Sequence, residues 1–220
     1  MSTTYANAKS ILGENCIGPE ELAVQGSSFR FGSECPPVPY SVEQLEQHAV
    51  SSVLVFTPAH DADGSPVTLN SLRTLFGIDP AVSEPCFYNQ DWYLKEPFAA
   101  EATLDGGWHL IRREALEEVR AMLPEEIENA LPATEVFPTA VTCAFAFFAY
   151  WFATGGNMLW RHDFIWCSDR DHNGDRIYVG RYEDPMQMNK NGFNIHRHLR
   201  LKPIHTAAPE TVPVDHLGKM

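Results

Sequence analysis

Residues 136–160 carry no charged side chain. A run that long must either cross a bilayer or be enclosed by the rest of the protein. Several features favour enclosure. Pro138 stands near its start, Gly155 and Gly156 break it, and Thr139, Thr142, Thr154 and Asn157 punctuate it. Its apolar residues are mostly Ala, Phe, Tyr and Trp, with almost no Leu or Ile. The helical part, residues 138–154, is about 26 Å long. It reads as a buried core helix, and the remaining elements are expected to pack on it.

The chain has 220 residues, of which 44% are hydrophobic and 20% charged. That balance suits one globular domain able to fold without staples. The five cysteines are scattered, with no Cys-x-x-Cys pair, which argues against a disulfide framework and a thiolate zinc ribbon. Cys143 and Cys167 read as small buried hydrophobes. The first ten residues are polar and do not resemble a secretory signal. The expected compartment is the cytoplasm. A net charge of −13 repels nucleic acid and disfavours a coating role on it or on an anionic membrane. The acid is uneven, however. Residues 161–202 hold eight Arg and Lys against six Asp and Glu, so an anionic ligand remains compatible with this part.

Local patterns place the elements. Residues 5–12 and 19–24 look helical. Ser41 with Gln44 forms a capping box for a helix through Val42, Leu45 and His48. Residues 52–57 read as a buried strand, and residues 70–76 as a helix closed by Gly77. Residues 60–66 form a turn-rich, solvated loop. Phe87, Tyr88, Trp92, Tyr93 and Phe98 point to an aromatic core, over which the Asp91 and Glu96 pair lies in a loop. Residues 108–111 read as a strand, 113–123 as an amphipathic helix, and 125–131 as a short acidic helix. Residues 164–167 and 177–182 are strands joined through Asn173-Gly174. Residues 193–201 alternate, with Phe193, Ile195, Leu199 and Leu201 on one face and Asn194, His196, His198 and Arg200 on the other. Arg197 is the single charge on the apolar face.

The fold expected from these patterns is a single α+β domain over residues 1–202. Its first two thirds are helical, and its buried helix packs on a C-terminal antiparallel meander. Residues 203–220, with Pro203, Pro209 and Pro213, are expected to form a loose tail.

The stretch Asp169-Arg170-Asp171-His172-Asn173-Gly174-Asp175 carries the sharpest chemical signal and reads two ways. Asp169, Asp171, Asn173 and Gly174 match the front half of a calcium loop. The back half fails, because the twelfth position is Gly180 and the flanks are strand-like. As a two-residue hairpin turn, the same letters place His172 opposite Asp175, Asp171 opposite Arg176 and Asp169 opposite Tyr178. Asp171 and Arg176 then form a cross-strand ion pair worth at most about 1 kcal/mol.

His196 and His198, two apart on a strand, project from one face and can offer two imidazoles to a metal. Combined with Asp169 and Asp171, they give a candidate site for one or two divalent metal ions. Arg176, Arg181 or Arg200 would orient a phosphate-bearing or otherwise anionic substrate, and a metal-bound water would attack it. Nucleophile-elbow, phosphate-loop and dinucleotide motifs are absent. The competing reading is a non-catalytic interaction or regulatory domain. It would present the acidic surface around Glu114, Glu117, Glu118, Glu125, Glu126 and Glu128 to a basic protein partner.

Overall fold

The computed structural model describes residues 2–23, 29–30, 36–182, 192–197 and 200–213. In chain order they form α1 (Tyr5–Leu12), β1 (Cys16–Ile17), α2 (Pro19–Ala23), β2 (Phe29–Arg30), α3 (Val42–His48), β3 (Ser52–Phe56) and β4 (His60–Asp61). There follow α4 (Leu69–Phe76), α5 (Pro97–Ala100), β5 (Trp108–Arg112), α6 (Pro124–Ala130), β6 (Glu135–Val136) and α7 (Ala140–Ala153). The chain continues with β7 (Phe164–Arg170), β8 (Arg176–Tyr182), β9 (Gly192–His196), β10 (His205–Thr206) and β11 (Glu210–Thr211).

Local chemistry starts and stops many of these elements. Ser41 and Gln44 exchange the two hydrogen bonds of a capping box at α3, each 3.2 Å, which satisfies two otherwise orphaned N–H groups. Thr68 and Ser71 do the same at α4, and Gly77, at φ 75°, closes that helix. Thr139 accepts from the Thr142 N–H to begin α7.

Two sheets form on either side of the long helix. The first runs β1-β3-β5-β11-β6, with β1 parallel to β3 and the other neighbours antiparallel. Its strands alternate cleanly. Val53 and Val55 join the core around α7, while Leu54 and Phe56 pack with Tyr40, Leu45 and Trp108 beneath α1 and α3. The second sheet runs β10-β7-β8-β9, with β10 parallel to β7. It contributes Ile165, Val179 and Ile195 to the same core. Helix α7 is therefore covered all round, and residues 140–150 are buried without interruption. Phe148 stacks on Phe76 at 4.0 Å and on Phe87 at 5.0 Å between ring centroids. Among the described residues, no helix is long and apolar enough to cross a membrane.

The α+β class stands, but its expected division does not. Helices are scattered along the chain, and β1, β3 and β5 come from the supposed helical part to build the larger sheet. Residues 113–123 do not form an amphipathic helix; only a 3-10 turn at Glu117–Val119 appears. Two of their amides are taken by the C-terminal segment. Leu116 N–H donates to Ala207 at 2.8 Å and Ala121 N–H to His205 at 2.9 Å. Tertiary pairing has displaced the local helical preference. The same contacts correct the loose tail, at least through residue 213. β10 joins the second sheet, and β11 lies inside the first, between β5 and β6. Residues 214–220 lie outside the described residues.

The second Asn-Gly, at 191–192, has a packing reason at its glycine. A Cβ on Gly192 would lie 2.5 Å from the Tyr88 backbone nitrogen. There β9 and the 86–88 segment bond through Phe193 N–H to Cys86 and Tyr88 N–H to Phe193.

Candidate functional site

The β7–β8 connection is tighter in chemistry and longer in residues than a two-residue turn. Arg170 faces Arg176, and residues 171–175 form the loop. Asp171 organises it. Its N–H donates to the Asp175 carbonyl at 3.0 Å, and its carbonyl accepts from Gly174 N–H at 3.0 Å. Its Oδ1 accepts from the Asn173 and Asp175 N–H groups at 2.9 and 2.8 Å. An aspartate that captures loop amides in this way replaces the hairpin register expected from Asn173-Gly174. Gly174 still supplies the positive φ, 86°. The pairs Asp171–Arg176, His172–Asp175 and Asp169–Tyr178 consequently do not form; Tyr178 faces Trp166 instead.

The loop brings Asp171 and His172 against the start of α5. Glu96, the residue before that helix, accepts from the His172 N–H at 3.0 Å, and its Oε1 lies 2.6 Å from His172 Nδ1. Arg197, just past β9, donates through Nη1 to Asp171 Oδ2. The same nitrogen is 3.7 Å from Glu96 Oε1, and the guanidinium sits 4.6 Å over the Trp92 ring. The side chains of Asp171 and Glu96 are 0% and 8% exposed, whereas that of His172 is 60% exposed. Two carboxylates thus lie under a solvent-facing imidazole. One potential ligand atom from each of Glu96, Asp171 and His172 falls within 4.8 Å of the others. Burial alone would raise the Asp171 pKa. The Arg197 guanidinium and the loop amides reverse that and hold it below the ordinary carboxylate value.

Most of the other residues suggested by the sequence go elsewhere. Asp169 turns to the opposite side of the hairpin, where its Oδ2 accepts from the Ala140 N–H at 2.6 Å, at the start of α7. Burial pushes its pKa up, against the pull of that N–H and of Arg176. His196 stacks on Tyr178 at 5.3 Å and meets Phe164 edge-on at 5.4 Å. Burial and the neighbouring His205 lower its pKa. His198 lies outside the described residues. Of the four proposed metal ligands, Asp171 alone is placed in the Glu96 cluster.

Two of the three arginines have structural partners. Arg176 pairs with Glu128 at 2.5 Å and lies 5.5 Å over Phe137. Arg181 is buried, paired with Glu84 and 5.6 Å over Trp151. Arg200 is exposed. The sequence carried a signal for the arginine that does reach the cluster: Arg197 was the lone charge on an apolar strand face, and such a charge needs a buried partner. Glu96, His172 and Trp92 had no comparable signal, because 76 residues of chain separate Glu96 from His172.

A second histidine–carboxylate group lies in the first sheet. His109 Nδ1 is 2.7 Å from Glu210 Oε1 and its Nε2 is 3.0 Å from Asp105 Oδ1. Burial would lower the His109 pKa, but the two carboxylates lift it to about 10. Both ring nitrogens therefore carry protons and donate, so the imidazole has no lone pair for acid–base work. This group is a clamp between strands.

No family model matches the chain, and comparison with curated proteins and with solved structures finds no significant match.

Proposed function

We propose that the protein is a metal-assisted hydrolase of a phosphate-bearing or similarly anionic substrate, with one divalent ion held by Glu96, Asp171 and His172. The observation that carries this reading is the convergence of those three ligand atoms within 4.8 Å, two of them on buried carboxylates. Oxygen donors with one imidazole suit a hard or borderline ion such as Mg²⁺, Mn²⁺ or Zn²⁺. The ion would replace Arg197 as the counter-charge of Asp171. Arg197, still stacked on Trp92, would then offer its fork to the anionic group of the substrate. The chemistry such an ion would supply is a water of lowered pKa, able to attack the substrate. With its lone pair on the ion, His172 would act as a ligand only, and the proton that the water releases would pass to solvent at this half-open site.

A reducing compartment such as the cytoplasm fits Cys143 and Cys167, whose sulfurs stand 3.9 Å apart as thiols. The test is elemental analysis of the purified protein, joined to thermal melts with chelator and with each of the three ions. About one equivalent of metal is expected, with a melt raised several degrees by mass action. Both effects should vanish in His172→Ala, whose exposed side chain leaves the fold intact. Absence of metal and of any shift would assign the cluster to holding the hairpin. The competing reading, a non-catalytic domain recognised by a basic protein partner, would then take its place.

A further inference from the structure

We propose that the hollow between the start of α6 and the outer face of the β7–β8 hairpin binds a small aromatic monocarboxylate. It is a second site, distinct from the Glu96 cluster. Arg170 and Asp171 are consecutive, and their side chains leave the hairpin toward different neighbours: Arg170 toward Glu125 of α6, Asp171 toward Arg197. The hollow has a volume of about 300 Å³, and its apolar lining includes Leu123, Pro124, Leu201 and Trp166. That size is at the small end of ordinary ligand sites and suits a single ring with one substituent.

The polar lining points to an acceptor. Trp92, Trp108 and Trp160 each donate their indole N–H to a backbone carbonyl, at 3.2, 3.0 and 3.1 Å. Trp166, only 3% exposed, has no acceptor for its buried Nε1–H among the described residues. A buried donor left without a partner costs about 1–3 kcal/mol. Such a cost is tolerated where a ligand or water supplies the missing oxygen.

The outer end carries Arg170, whose side chain is 43% exposed. Its Nη2 holds Glu125 at 3.0 Å and its Nη1 the Gly174 carbonyl at 2.8 Å. The Arg170–Glu125 pair is solvated on both sides, so exchanging Glu125 for a ligand carboxylate costs little. Glu125, Asp175 and Arg176 also line the hollow; Arg176 is already neutralised by Glu128, so the two acids favour a monoanion over a dianion. The ring would lie among Leu123, Pro124 and Leu201, against the Trp166 indole. Its carboxylate would take Arg170 and, after a small shift of the indole, the Trp166 N–H.

The experiment is isothermal titration of the full chain with benzoate in EDTA, which keeps metal from the Glu96 cluster, run beside benzylamine and phenyl phosphate. Benzoate should bind saturably in the millimolar range or tighter, as befits so small a ligand, and more tightly than the other two. Trp166→Phe keeps a ring and removes the donor, so it should weaken binding about fivefold. Arg170→Met should weaken it about tenfold or more. Thermal melts of both variants without ligand establish that the fold is retained. Any one of three results would overturn the assignment: no saturation with benzoate, equal affinity in both variants, or benzylamine or phenyl phosphate binding as tightly as benzoate.

Discussion

The carboxylate of Asp169 accepts the Ala140 N–H at 2.6 Å in a place where burial raises its pKa. An acid whose folded pKa is raised contributes stability while protonated, below its ordinary range, and loses it as pH rises through the folded value. At neutral pH the charge of Asp169 therefore costs stability, while its oxygen still serves the helix. Asp169→Asn keeps an oxygen for Ala140 and removes the charge. Its melting temperature at pH 7 should equal or exceed that of the parent, with the difference disappearing in acid. Asp169→Ala loses the bond as well and should cost about 1 kcal/mol. A loss of several kcal/mol in the Asn variant would show that the carboxylate charge itself is needed.

Arg197 poses the opposite case. It is the cation on a side chain, Asp171, that is 0% exposed. Removing one partner of a buried pair costs about 3–5 kcal/mol. Arg197 retains 22% exposure, so Arg197→Met should fall at the low end of that range in urea denaturation. A cost near zero would mean that water already serves Asp171. Arg197 was the most legible residue of the cluster, because a lone charge in an apolar register is anomalous in the sequence itself. Glu96 was visible only as part of a loop acid pair with Asp91. The structure separates the two: Asp91 pairs with Arg73 at 2.7 Å, and Glu96 turns inward.

At the scale of elements, two histidine groups fasten the C-terminal strands and respond to pH in opposite directions. The His109 clamp ties β5 to β11 through Glu210. A histidine raised to about 10 contributes stability that is fully present below its ordinary value of ~6.5 and is lost as pH rises through the folded value. Its partner Asp105 is held at about 2, chiefly by the hydrogen bond from His109, so that side of the clamp fails only in strong acid. In the second sheet, His205 of β10 packs on Tyr178 at 5.2 Å and accepts the Lys202 N–H on Nδ1 at 2.9 Å. Burial first, and Lys202 next, lower its pKa, as burial and His205 lower that of His196. Lowered histidines contribute stability above ~6.5 and lose it as pH falls through their folded values. Melting temperature is therefore expected to peak near ~6.5 and to fall on both sides. His109→Gln should flatten the alkaline side and His205→Gln the acid side, in melts from acid to alkaline buffer. If either variant leaves its side unchanged, the titration belongs to another group. These fastenings also explain why residues 113–123 misled: their amphipathic pattern is real, but the segment runs irregularly along His205 and Ala207 and serves their backbone groups.

The whole molecule is closed by its last described strand. β11 lies between β5 and β6, so the first sheet is complete only once the chain end arrives. A chain ending at Lys202 would lack β10, β11 and the Glu210 half of the clamp. It should lose cooperative thermal unfolding altogether, as circular dichroism and calorimetry would show; a sharp transition near that of the full chain would mean that the sheet stands without its inserted strand.

The sequence by itself determined what depends on neighbours along the chain. Capping pairs at Ser41 and Thr68 and the glycine stop at Gly77 set helix ends. A run of apolar residues made β3 a buried strand, and the uncharged length of α7 required that it be enclosed. These signals act within a few residues, so no partner is needed to read them. The tertiary structure alone decided which strands share a sheet and that the C-terminal segment is woven in. It also decided that Asp171 meets Glu96 and Arg197 while Asp169 leaves for α7. Those outcomes rest on contacts between distant segments, where desolvated charges take whichever partner the packed elements bring within reach, and no local pattern encodes that choice.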